Sequence, residues 1–111
     1  DEQPCIRKLK ATPEWKPIEG LWLSEAGMLC LENNEGRFLQ VQPTEAERQA
    51  ALAKVIEVGI ENEFSEDGKP VLPFALIPPG ESCRFQPHAL TALRVRCRAG
   101  TAKYTASAFP K

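Results

Sequence analysis

Histidine is nearly missing from this chain, and with it most of the usual catalytic and metal chemistry. His88 is the only one among 111 residues, and it sits in a Pro87-His88 turn, where solvent exposure is the ordinary outcome. The four cysteines include no Cys-x-x-Cys pair, so the ligand spacings of a zinc site are lacking. A nucleophile needs a base and an orienting group beside it, and no motif supplies that set. There is no Gly-rich phosphate loop, since Gly80 and Gly100 both read as turn residues. No apolar run approaches the roughly 18 to 20 residues of a membrane span. Neither sign of charge dominates: 14 basic residues face 15 acidic ones, for a net charge of −1. Whole-molecule electrostatics therefore favour neither nucleic acid nor an anionic membrane. The sequence expectation is a single domain over 1–111 that is not an enzyme and uses no metal or cofactor.

What is present is an even number of cysteines in a short chain, which reads as two disulfides formed in an oxidising compartment. Three connectivities are open. The stretch from Pro78 to Phe109 favours one of them. Read as a long hairpin with its turn centred on Leu90, it sets Cys83 opposite Cys97, Phe85 opposite Val95 and Arg84 opposite Arg96. Cys5 and Cys30 are then left for each other. Period-2 alternation puts Leu93, Val95 and Cys97 on one face and Arg94, Arg96 and Arg98 on the other. With Arg84, and with Lys103 from the next strand, this makes a basic stripe suited to carboxylates of a protein partner.

Earlier in the chain, Cys5 to Ala11 alternates as a first strand, and Pro13 and Pro17 break it. Gly20–Ser24 and Met28–Glu32 flank Glu25-Ala26-Gly27 as a hairpin with a bulge. A turn at Asn33-Asn34-Glu35-Gly36 leads to a third strand, Arg37–Val41, completing a meander. Thr44 and Glu47 form a capping box, and the spacing predicts a helix to about Val58, with Ala51, Leu52, Val55, Ile56 and Gly59 on one face. Ile56, Val58 and Ile60 also alternate, so a strand over Val55–Ile60 competes with the end of that helix. Glu57 to Asp67 is acidic, with a loop tip at Glu66-Asp67-Gly68. Val71–Ile77 is a strand that Pro73 confines to an edge or a bulge. Trp15 and Phe64, in polar company, are candidate exposed anchors.

The fold class expected is α+β: an antiparallel, twisted sheet or partly closed β-sandwich or barrel, one helix packed on it, and two disulfides. The opening Asp1-Glu2-Gln3-Pro4 suits a mature terminus after signal cleavage, hence a periplasmic or secreted protein.

Two cysteine-centred patches at the ends of the chain, Pro4-Cys5-Ile6 and Pro79-Gly80-Glu81-Ser82-Cys83, together with a closing hairpin containing Lys103-Tyr104-Thr105, carry a resemblance. In these the chain resembles small periplasmic immunity proteins that accompany toxins of bacterial type VI secretion systems. The resemblance implies a compact exported protein that binds a cognate toxin or hydrolase tightly and blocks its active site. The partner-binding residues expected are Arg84, Arg94, Arg96 and Arg98 on the stripe, His88 in its turn, and Glu66 and Asp67 at the acidic tip. An envelope accessory module that binds a partner by strand addition along Val71–Ile77 is the alternative. A small secreted hydrolase working through two carboxylates is a third.

Overall fold

The computed structural model describes residues 5–21, 26–36, 44–61, 71–86 and 93–110. Among these lie eight strands and one helix: β1 (Cys5–Ala11), β2 (Lys16–Pro17), β3 (Ala26–Asn33), α1 (Glu45–Ala53), β4 (Ile56–Glu61), β5 (Val71–Ile77), β6 (Ser82–Phe85), β7 (Leu93–Cys97) and β8 (Ala102–Pro110). They form two four-stranded antiparallel sheets, in the orders β1-β8-β3-β6 and β2-β7-β4-β5. Chain-neighbours β1 and β2, β3 and β4, β5 and β6, and β7 and β8 fall in opposite sheets. This is the strand order of a jelly roll, two interlocked Greek keys. The α+β expectation holds in its coarse form, an antiparallel β architecture with one helix, but the sheets are two.

Alternation builds the core between the sheets. From the first sheet Leu29, Leu31, Ala102, Tyr104, Ala106 and Ala108 point inward; from the second come Ile56, Val58, Ile77, Leu93, Val95 and Cys97. The central strand β8 offers mostly alanines where β7 offers larger side chains, so the sheets interdigitate without overpacking. Gly80 and Gly100 adopt φ of +79° and +67°. They sit in the two tight corners, β5 to β6 and β7 to β8, where a side chain would strain the backbone.

A buried asparagine joins the layers. Asn33 ends β3 and is 1% exposed. Its Nδ2 donates to the carbonyls of Lys54 at 2.8 Å and Ile77 at 2.9 Å, and its Oδ1 accepts from the Glu35 amide at 3.0 Å. Its backbone closes the same corner, donating to Glu81 and accepting from Gly80. One side chain thus links a strand of the first sheet, the exit of α1 and the end of β5 in the second.

Several expectations are corrected. Pro78 to Phe109 is no hairpin: β6 pairs with β3, β7 pairs with β2 and β4, and the chain changes sheets between β7 and β8. Neither disulfide forms, and Cys5, Cys30, Cys83 and Cys97 are free thiols. Cys83 and Cys97 lie in different sheets, which stack about 10 Å apart. Cys5 pairs in register with Ala108 and Cys30 with Ser107, on opposite faces of the same sheet and on either side of β8. Two strand spacings are about 10 Å, beyond the roughly 4.4–6.8 Å Cα separation that a disulfide spans.

The helix is shorter than expected and is not packed down. Its capping box is present, with Glu47 N donating to Thr44 Oγ1 at 3.1 Å and Thr44 N to Glu47 Oε1 at 3.3 Å. It ends at Ala53 and buries none of its residues, with Leu52 42% exposed. The cause is that Val55, Ile56 and Gly59, three of the five residues of the predicted apolar face, are buried beyond the helix end, Ile56 as the first residue of β4. The competing alternation at Ile56 and Val58 prevails because those side chains fill the inter-sheet core. The bounds of β1 and β5 agree with the sequence, and Pro73 sits on an edge strand beside a register shift. The expected meander does not appear, since β3 pairs with β6 and β8; its third strand, Arg37–Val41, lies outside the described residues.

Candidate functional site: a guanidinium face and an inter-sheet seam

The basic stripe divides between the sheets. Arg84 stands on the outer face of the first sheet, in register with Cys30. Lys103, also on that sheet, pairs with Lys10. Arg94 and Arg96 share the outer face of the second sheet, and Arg98 is exposed just beyond β7. His88, Glu66, Asp67 and Phe64 lie outside the described residues.

Sheet register builds an ordered row on that second outer face. Arg96 is directly opposite Glu57 on β4, and Glu57 is opposite Leu76 on β5. On the other side, the Lys16–Val95 pairing brings Trp15 alongside Arg96. Arg96 Nε donates to Glu57 Oε2 at 3.0 Å, and the guanidinium carbon lies 4.9 Å from the Trp15 ring centroid. Glu57 retains 8% side-chain exposure against 37% for Arg96. An isolated buried carboxylate would be costly, so the guanidinium is its necessary counter-charge. In return the acid and the indole fix the plane of Arg96, whose other N–H groups remain at the surface. The sequence placed Glu57 in a solvated acidic run; its role here was legible only through the β4 alternation.

The second feature lies on the inner side of the same sheet, at its β2 edge. Between the edge strands β1 and β2 is a cleft of about 220 Å³, lined by Leu9, Lys10, Ala11, Thr12, Lys16, Pro17, Glu19, Val95 and Tyr104. Tyr104 pairs in register with Leu9 and faces inward. It is 2% exposed, and burial, helped by the nearby Glu19 carboxylate, pushes its hydroxyl from the ordinary 10.0 up to about 12. Lys16 is opposite Val95, so its side chain leaves the inner face of β2 at the mouth of the cleft. Lys16 was not singled out by composition or motif, and Tyr104 entered only within Lys103-Tyr104-Thr105, with no site role. Only the pairing of β1 with β8 and of β2 with β7 brings them to one seam.

Cys97 is fully buried, its Sγ 3.4 Å from the Ala11 carbonyl and 3.5 Å from those of Ala99 and Gly100. Burial pushes its thiol pKa up, against a smaller opposing effect of Lys54. It is a structural thiol, not an activated one. Among the described residues no group of three or more potential ligands is placed to hold a metal ion, and no helix is long and apolar enough to cross a membrane.

No protein-family model matches the chain, and no significant match is found among curated proteins. A similar solved structure is "Crystal Structure of CoII HppE in Complex with Substrate", at 18% identity and a TM-score of 0.49. The match covers 96% of this chain, which spans 43% of that one. That neighbour was solved in complex with a substrate, and the expectation that this chain is not an enzyme is not retained. At this TM-score the likeness carries no reaction, ligand or residue role across.

Proposed function

We propose that this chain is a jelly-roll recognition module that docks a carboxylate-bearing segment of a protein partner on the outer face of its second sheet. The observation that supports it is Arg96, held between Trp15 at 4.9 Å and Glu57 at 3.0 Å with its free edge outward. A guanidinium already fixed in plane loses little side-chain freedom on binding, and its fork matches a carboxylate. Arg94 lies one row away on the same face. A toxin or hydrolase with an acidic active-site cleft is a partner of this kind. The export and immunity roles expected from the sequence lose their sulfur-based support, because the four thiols are unpaired.

The test compares immobilised wild-type protein with Arg96→Lys and Arg94→Ala in capture from source extracts, followed by affinity measurement with the partner so identified. Arg96→Lys preserves a cation for Glu57 while removing the planar fork. It should weaken binding by about tenfold, or about 1.4 kcal/mol. Unchanged affinity in both variants would overturn the proposal. A second reading, strand addition along β5, is favoured by its edge position and by Leu76 at 54% exposure. Loss of binding in Leu76→Asp, with both arginine variants intact, would select it instead.

A further inference from the structure

The seam between β1 and β2 has the make-up of a small-molecule site. Its inner end is Tyr104, whose hydroxyl has no hydrogen-bond partner among the described residues. No fully enclosed side-chain polar atom there lacks a partner, so this hydroxyl keeps contact with solvent, and the cleft it lines is the route. Leaving such a group without a polar neighbour forfeits a hydrogen bond that a ligand can supply. Leu9 on one side and Pro17 and Val95 on the other give the walls apolar patches, within a lining that is more polar than apolar. At the mouth stands Lys16, 53% exposed, whose one ion pair among the described residues is a 4.0 Å approach to Glu14. So loose and exposed a contact leaves the ammonium available to a better anion.

Three charged residues line the seam; Lys10 alternates onto the outer face of β1, and Glu19 and Lys16 give the seam a direction. Glu19 lies close enough to Tyr104 to act on its ionisation, so an anionic group is repelled from the inner end. Lys16 attracts one at the mouth. The inner end instead suits a neutral hydroxyl, which can accept from Tyr104 and donate towards Glu19. Burial keeps Tyr104 protonated through the physiological range, so it remains a donor there. At about 220 Å³ the cleft is smaller than the roughly 300–1,000 Å³ of sites for drug-sized ligands, which limits the occupant to about ten non-hydrogen atoms.

We propose that this seam binds a small hydroxylated carboxylate, its carboxylate on Lys16 and its hydroxyl at Tyr104. The seam opens on the inner side of the second sheet and the guanidinium row lies on its outer face, so the two use different side chains, and either can fail without the other.

The experiment titrates the full chain with 4-hydroxybenzoate, benzoate and 4-hydroxybenzyl alcohol, following heat and the fluorescence of the two tryptophans. Wild-type protein should bind 4-hydroxybenzoate saturably and about tenfold or more tightly than either analogue. Tyr104→Phe, an isosteric change in a buried position, should erase the preference over benzoate while leaving benzoate itself unaffected. Lys16→Gln, at an exposed edge, should erase the preference over the alcohol. Circular dichroism establishes that both variants are folded. Absence of saturable binding to wild type, or a hydroxyl preference that survives in Tyr104→Phe, overturns the proposal. Should Tyr104→Phe fail to fold, the Lys16→Gln comparison decides alone, and a retained carboxylate preference refutes it.

Discussion

Asn33→Leu tests whether one amide joins the two sheets. The substitution keeps the branched shape of the side chain, at a larger volume, and removes the hydrogen bonds. It strands the carbonyl of Ile77, which is buried, the part-buried carbonyl of Lys54 and the Glu35 amide. An unsatisfied buried polar group costs about 1–3 kcal/mol. The Ile77 carbonyl should bear most of that, and the two part-buried groups less because water reaches them. Set against the modest gain from burying leucine, the net loss is about 2–4 kcal/mol, a large part of the about 5–15 kcal/mol that holds a domain together. In urea unfolding, with a slope of about 1–3 kcal/mol per M for a small protein, the midpoint should fall by about 1–2 M. Asn33→Asp should be worse at neutral pH, because a carboxylate would face two carbonyl oxygens. Repulsion and burial both raise the folded-state pKa of that introduced carboxyl. The stability it contributes is therefore present below its unfolded value, about 3.9, and lost as pH rises through the raised folded value. The gap between the Asp and Leu variants should close in acid, where the protonated acid returns one donor. A Leu variant within 1 kcal/mol of wild type, or an Asp variant with no such acid recovery, would refute the linkage.

Two further outcomes follow from the same geometry. Tyr104 is the only tyrosine, so its ionisation can be read directly from tyrosinate absorbance; it should titrate near pH 12, against 10.0 for the free side chain. Because the folded pKa is raised, its contribution is complete below pH 10 and is lost between about 10 and 12, costing about 2–3 kcal/mol that Tyr104→Phe should not lose. Thiol counting in denaturant without reductant should find four free cysteines; in the native state Cys30, on an outer face, should be alkylated well before Cys97, which is fully buried with a raised pKa. A titre of zero, or Cys97 reacting first, would contradict the structure.

Much of the local structure was legible because it rests on local chemistry. The Thr44–Glu47 box, the turn glycines and the inward set Leu93, Val95 and Cys97 all appear as read. Pro73 also falls where an imino acid is tolerated, on an edge beside a shift in register. What failed was partnership. Alternation reveals which face a residue occupies but not which strand lies beside it, and the Cys83–Cys97 register was consistent in itself while joining strands of different sheets. The ambiguous stretch at Ile56 and Val58 went the same way. Helix propensity favours continuing from α1, but burial in the inter-sheet core favours β4, and tertiary packing outweighs propensity.

The jelly-roll order makes this failure systematic. Almost every short connection crosses from one sheet to the other, so a tight turn between alternating segments, the usual sign of a hairpin, here marks a sheet change. The described exception is β4 with β5, neighbours in sequence that do pair. Their Asp67-Gly68 connection was visible, but the pairing was hidden by extending α1 through β4. Both candidate sites inherit the same logic. Arg96 meets Glu57 across 39 positions of sequence, and Tyr104 meets the Lys16 seam only because first and last strands are adjacent. A substitution that weakens β1–β8 pairing should therefore disturb the seam and spare the guanidinium row, whose residues come from β4, β7 and the segment entering β2.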